Sequence, residues 1–243
     1  MDQRGGSDDG TVQEPTAGEV ADPSATAPAA RVRGLVVDYG GVLTVSLESS
    51  VRAWADRDAV DLADFGRLLR EWLGNTAGDN PVHDLETGRM PPAQFERILA
   101  DRLRGLTGGR VEAAGLLTRM FQHLTPEPGM LDVVRRARAQ GIRTALLSNS
   151  WGNSYPREHW EDVFEVVVIS GEVGMRKPDP DIYVHTAGLL GLQPSECVFV
   201  DDLPHNVAGA VAVGMVGVHH EDPRRTVGEL EAVLGVSLSF DTP

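Results

Sequence analysis

The chain has 243 residues, 41% of them hydrophobic and 24% charged, which suits one large α/β domain or a medium domain with an insertion and is too apolar for disorder throughout. A net charge of −14 excludes a general nucleic-acid binder, which needs a basic surface to displace phosphate counterions, and no run of about 18 apolar residues exists to span a membrane. The single cysteine, Cys197, excludes an internal disulfide and predicts a cytoplasmic location, in keeping with an amino terminus that lacks the pattern of a secretory signal.

Residues 1–30 carry six acids against one arginine and almost no large apolar residue, a composition that predicts a disordered tail. Folding is expected to begin at residue 31. The run Leu35-Val36-Val37 leads into Asp38 and then Gly40-Gly41, which reads as a buried strand over 34–38 ending in a sharp loop. From residue 44 to 125 no strand pattern occurs. Trp54, Leu62, Phe65, Leu68, Leu69, Trp72 and Leu73 fall mostly at helical spacing, and further helices are predicted over 92–103 and 111–124, with His83-Asp84-Leu85-Glu86 in a turn-rich segment between them.

Beyond Pro126 and Pro128 helices and strands alternate. A helix over 130–140 precedes strands at 143–147 and 166–169. Asp179 is placed to cap a helix opened by Pro180, and a strand at 198–200 leads to Asp201-Asp202. A helix over 206–213, a strand over 215–218 and a helix over 226–234 complete the series. Parallel pairing follows, because strands joined by helical crossovers run the same way. The predicted architecture is a Rossmann-like, doubly wound parallel sheet over 31–43 and 126–243, with a helical cap inserted at 44–125.

In such a sheet the residues behind the strands converge on one edge. Asp38, Ser148, the loop around Lys177 and the pair Asp201-Asp202 all sit there. Three carboxylates brought together repel one another unless a hard cation lies between them, and oxygen-only ligands point to magnesium. Lys177 is the only lysine in the chain, a sign that a compact ammonium is wanted at that place rather than a guanidinium fork. A carboxylate nucleophile, a cation and hydroxyl or amide donors suit phosphoryl transfer through an aspartyl-phosphate.

Four segments in order, Asp38-Tyr39-Gly40-Gly41-Val42-Leu43, Leu147-Ser148-Asn149, Gly174-Met175-Arg176-Lys177-Pro178 and Val200-Asp201-Asp202, resemble the four motifs of the haloacid dehalogenase superfamily. The resemblance extends over about residues 32–235 and is nearest to the sugar-phosphate phosphatases and the phosphatase domain of epoxide hydrolases. It implies Asp38 as nucleophile and, with the Gly40 carbonyl, Asp201 and Asp202, as a Mg2+ ligand. It further implies Ser148, Asn149, Gly41 and Lys177 as the phosphate-binding set, and Asn206 as a residue that orders the loop behind the acid pair.

Position 40 departs from that pattern, since most phosphatases of the superfamily carry there a second aspartate that protonates the leaving oxygen. His83 and Glu86 are the candidates in the cap for a substitute donor or a substrate contact. The expected activity is hydrolysis of a small organic phosphate, and a leaving group that needs little protonation, such as the anomeric oxygen of a sugar 1-phosphate, fits Gly40 best. Two other readings accommodate Gly40: a dehalogenase-type hydrolase, which also lacks the second aspartate, and a catalytically impaired binding or regulatory protein.

Overall fold

A computed structural model describes residues 31–74, 80–152, 155–158 and 160–238 of the chain; the expected disorder of residues 1–30 lies outside them. Five short apolar runs form one sheet: β1 Gly34–Val37, β2 Arg143–Ser148, β3 Val166–Ile169, β4 Cys197–Asp201 and β5 Val216–His219. Their order is β3-β2-β1-β4-β5 and every pairing is parallel. β1 is buried along its whole length, as expected for a central strand covered on both faces.

Two apolar layers flank the sheet. Leu35 and Val37 of β1 pack with α6 (Pro128–Ala139) and α10 (Pro223–Leu234) on one face. Val36 points the other way, into a cluster with Ile182 and Tyr183 of α8 (Pro180–Leu189) and Ala210 of α9 (Pro204–Ala212). This is the alternation that a pleated strand imposes.

Among the described residues of 47–121 lie five helices: α1 (Leu47–Asp58), α2 (Leu62–Gly74), α3 (Pro81–Glu86), α4 (Pro92–Thr107) and α5 (Leu116–Phe121). They share an apolar cluster of their own, with Trp54, Phe65, Trp72, Phe95, Leu99 and Met120 among its buried members. The chain leaves the sheet and returns to it side by side. Val45 N donates to Thr125 O at 2.9 Å and Glu127 N to Leu43 O at 2.8 Å, so both ends of the insertion are tied at one place.

Three elements differ from the sequence reading. The helix expected over 111–124 is reduced to the six residues of α5, because Gly115 takes φ +68 and Arg119 turns back to the carbonyls of Glu112 and Ala114 (both 2.5 Å). The segment around His83 is helical rather than turn-rich: Asn80 Oδ1 accepts the amides of Val82 and His83 at 3.0 and 3.2 Å, and Pro81 occupies the first helical position, a satisfied N-terminus that supports even a short helix. A single helical turn, α7 (Ser170–Val173), also follows β3 directly.

The turn after α3 rests on α7. Gly88 has φ +73, and a Cβ there would lie 2.4 Å from the Gly171 carbonyl oxygen, so both the backbone and the space demand glycine. Gly88→Ala should therefore cost more than about 1 kcal/mol, read as a lower urea midpoint. Gly105→Ala, inside α4 with open space around the new methyl, should instead raise the midpoint by the equivalent of about 0.5–1 kcal/mol.

Candidate active site

Sheet register assembles the centre of the site. Val37 pairs with Val200 and with Leu146, so the next residues, Asp38, Asp201 and Leu147, stand level at the carboxyl ends of three adjacent strands. The chain winds from β1 outward through β2 and β3, then returns beside β1 with β4. That reversal opens a crevice between β1 and β4, the place where such sheets bind ligands. Asp38 and the Asp201-Asp202 pair flank it.

Lys177 is 1% exposed, and its Nζ lies 2.7 Å from Asp38 Oδ1, 2.7 Å from Asp201 Oδ2 and 3.1 Å from the Leu147 carbonyl. Asn206 secures Asp201 from the other side, its Nδ2 donating to both carboxylate oxygens at 3.0 and 3.1 Å, and Leu203 N adds a third bond at 2.8 Å. Asn206 thus orders this loop. Gly41, at φ +77, leaves room for Asp202: a Cβ there would stand 2.2 Å from Asp202 Oδ2. The Gly41 amide itself goes to Thr44 Oγ1 at 3.1 Å, and Gly41 is not among the residues lining the cavity described below.

The electrostatics favour a divalent cation. Ligand atoms of Asp38, Asp201 and Asp202 lie within 4.8 Å of one another, and with all three ionised against one ammonium the cluster keeps two net negative charges. Burial pushes the Asp38 carboxyl up to about 7, opposed by Lys177 and reinforced by Asp201 and Asp202. Burial, with Asp201 beside it, brings Asp202 up to about 6. For Lys177, burial alone would lower the pKa, but Asp201 and Asp38 outweigh it and hold the ammonium above the ordinary lysine range. The buried Asp202 Oδ1 has no hydrogen-bond partner among the described residues. An orphaned carboxylate oxygen beside two more carboxylates fits a hard, oxygen-seeking ion such as Mg2+.

Ser148 and Asn149 do different things. The Ser148 hydroxyl lies at the tip of β2, 3.0 Å from the Tyr155 hydroxyl. Burial raises the Tyr155 pKa to about 12, so that phenol remains a donor. The Asn149 amide is engaged with the Lys177 backbone in both directions: its Nδ2 donates to Lys177 O at 3.0 Å and its Oδ1 accepts from Lys177 N at 2.9 Å. That pair fixes the loop from which the ammonium projects.

Of the two cap candidates, Glu86 is in the site and His83 is not. Glu86 Oε2 accepts from Arg176 Nε at 2.6 Å and Oε1 from Trp151 Nε1 at 3.0 Å, while its carbonyl accepts from Ser170 Oγ at 2.5 Å. A helix-layer acid is thereby bolted to the residue next to Lys177. With its carboxylate spent on this pair, Glu86 is no free proton donor. His83 does not line the cavity; burial and Arg176 lower its pKa.

The cavity itself is about 600 Å³. Asp38, Ser148, Lys177 and Asp202 form its polar end, and side chains of α1, α2 and α5 form much of the rest. Gly40 lies between the two: a Cβ at this position would be 3.3 Å from Leu47 Cδ1. The sequence reading missed Tyr155, Trp151 and Arg176. Trp151 and Arg176 neighbour recognised segments and so carried a positional signal, whereas Tyr155 has none in the local pattern.

Residues 32–214 match the haloacid dehalogenase-like hydrolase family. The chain is 32% identical to sesquiterpene phosphatase astK of Aspergillus oryzae over 188 residues, spanning 71% of this chain and 94% of that protein. It is 28% identical to bifunctional epoxide hydrolase 2 of Sus scrofa over 227 residues, spanning 87% of this chain and 40% of that protein. Among solved structures, a HAD family enzyme of Bacteroides thetaiotaomicron in complex with magnesium and inorganic phosphate superimposes with a TM-score of 0.57 at 24% identity, over 78% of this chain and 94% of that one, a likeness of fold. No helix among the described residues is long and apolar enough to cross a membrane.

The Glu86–Arg176 pair makes a stability prediction. Glu86→Ala leaves the buried guanidinium with only the exposed Asp179 carboxylate, 4.0 Å away, and should cost about 3 kcal/mol in urea denaturation. The double change Glu86→Leu with Arg176→Met, which removes both charges, should recover most of that loss.

Proposed function

Because the chain belongs to the haloacid dehalogenase-like hydrolase family, we propose that it is a Mg2+-dependent phosphatase that hydrolyses a small organic phosphate monoester through an aspartyl-phosphate on Asp38. One observation carries this reading: three carboxylates and a fully buried lysine meet at the polar end of a cavity. The phosphatase relative of similar length supports the same reaction class. Helices α1–α5 act in this reading as the cap over the nucleophile.

Asp38, Asp201 and Asp202 would hold the ion, which would offset the cluster's charge and supply Lewis-acid polarisation of the phosphoryl group. Lys177 orients Asp38 at 2.7 Å and opposes the rise that burial imposes on its pKa, and the Ser148 hydroxyl, backed by Tyr155, offers a hydrogen bond to a phosphate oxygen. An Asp38 carboxylate oxygen attacks phosphorus, the bond to the substrate oxygen breaks, and that oxygen leaves with the electron pair and takes its proton from water, since position 40 has no side chain to give one. Water then attacks the phosphorus of the aspartyl-phosphate, the bond to the Asp38 oxygen breaks and restores the carboxylate, and inorganic phosphate departs while the proton given up by the water passes to solvent. Asn149 and Asn206 are positioning residues for Lys177 and Asp201.

Asp38→Asn should lower kcat for phosphate release by at least about 10³-fold, with the melting temperature checked to show that the variant folds. Phosphate release that survives a chelator undiminished would take Mg2+ out of the mechanism, whereas halide release from a 2-haloacid without any phosphate release would favour a dehalogenase-type hydrolase.

The metal should also leave a pH signature independent of turnover. Asp38 titrates near 3.8 when unfolded and near 7 when folded, so the stability it contributes is full at low pH and is lost as pH rises through 7. Ion binding needs the ionised cluster and grows over the same window. A fixed Mg2+ concentration should therefore raise the melting temperature more at pH 8 than at pH 5. Equal shifts at the two pH values would remove these carboxylates from the metal site.

A further inference from the structure

The cavity above Asp38 is walled by apolar helix faces that protein covers only in part: Phe65, Leu117 and Met120 are buried, and Val51, Leu69 and Phe121 pack against the same cluster, yet all of them still line the cavity. Leu47 and Val51 lie one turn apart on α1, and Phe65, Leu69 and Leu73 at successive turns on α2, all facing the cavity. Leu117, Met120, Phe121 and Leu124 repeat the pattern along α5 and its continuation. Apolar residues at these spacings form one stripe on each helix. In a folded core such stripes bury each other. Here Leu47, Val51, Leu69, Phe121 and Leu124 are only half-buried, and Leu73 is 45% exposed.

Polar groups on the walls are mostly committed elsewhere. Glu86 is engaged by Arg176 and Trp151. Glu96 accepts the amides of Gly115 and Leu117 at 3.3 and 3.0 Å, and Gln122 is paired with His123 at 2.8 Å. The remaining polar wall residues away from the carboxylate end, Thr118 and His205, are exposed. A sugar enclosed here would bury hydroxyls with few partners, a cost of about 1–3 kcal/mol for each one left unpaired. Small polyol phosphates would also leave much of about 600 Å³ unfilled.

We propose that the substrate is a phosphate monoester with an uncharged hydrocarbon body, its phosphate at Asp38, Ser148 and Lys177 and its tail along the apolar faces of α1, α2 and α5. This rests on the phosphatase reading and narrows it to one chemical class. It also revises the expectation of a sugar 1-phosphate. The tail supplies binding through burial of apolar surface, which is indifferent to bond pattern and scales with length. The polar end alone fixes which bond is presented to the nucleophile.

The test is phosphate release with Mg2+ from n-butyl, n-hexyl, n-octyl and n-decyl phosphate, each below its critical micelle concentration, beside glucose 1-phosphate and the activated ester p-nitrophenyl phosphate. The value of kcat/KM should rise by about three- to fourfold per methylene until the chamber is filled, and decyl phosphate should exceed glucose 1-phosphate by more than about 10²-fold. Val51→Phe should move the optimum to shorter chains, and Leu69→Gln should flatten the slope. A profile that is level or falls with chain length, or that favours the sugar phosphate, overturns the proposal. Failure to hydrolyse any ester, p-nitrophenyl phosphate included, sinks the phosphatase reading instead. In that event calorimetric titration with n-decylphosphonate against methylphosphonate decides the ligand class: affinity that climbs with the tail upholds it, and equal or absent binding overturns it.

Discussion

A lysine ammonium has three protons to donate, and Lys177 meets three acceptors: Asp38, Asp201 and the Leu147 carbonyl. That stoichiometry explains why the only lysine of the chain stands here while arginine serves every other cationic position. A guanidinium would bring five donors and a planar fork into a space with three acceptors, and at least one buried N–H would go unpaired. The same contact ties three strands together at their carboxyl ends. Without it, Asp38 and Asp201 would face each other at the sheet edge as uncompensated buried charges, and the cost of that desolvation would fall on the fold as well as on the chemistry.

Lys177 is held in turn by the helical layer. Asn149 fixes its backbone, and its neighbour Arg176 is paired with Glu86 at the end of α3. The Ser170 hydroxyl donates to the Glu86 carbonyl, and Gly88 lies directly against Gly171. One short surface therefore fastens α3 to the loop that carries the ammonium. A shift of the helices over the cavity would strain a buried ion pair one residue from Lys177, so the position of the walls and the geometry of the catalytic end are set by a common contact.

The sheet and the carboxylate cluster were legible from sequence because both depend on local patterns. Apolar runs ending in an acid or a serine mark buried parallel strands, and parallel topology then forces their tips together without further information. Lys177 was legible by rarity. What was not legible depends on pairs far apart in the chain. Glu86 reads as an ordinary acid in a polar segment; only its partner 90 residues away turns it into a buried anchor. The short helices α3, α5 and α7 escaped or shifted for a related reason. With so few residues each, their periodicity carries no signal, and they form where a cap such as Asn80 or an interruption such as Gly115 dictates. Tyr155 belongs to the same class, since its hydroxyl acquires meaning only beside Ser148.

Gly40 changes most between the two levels of description. As sequence it is an absent acid. In the fold it is the point where the carboxylate end meets the apolar wall, since a side chain starting there would have its Cβ 3.3 Å from Leu47 Cδ1 and would press on that leucine. A carboxyl pressed against that leucine would lose hydration and favour its neutral form, and it would also bring a polar group to the side of the cavity where the half-buried stripes of α1 and α2 begin. A glycine and a leucine at this junction keep the wall apolar down to Asp38. In the proposed reaction the missing acid and the apolar chamber belong together: glycine at position 40 offers no proton donor beside a leaving oxygen and keeps the surface next to Asp38 apolar for the group that oxygen would carry.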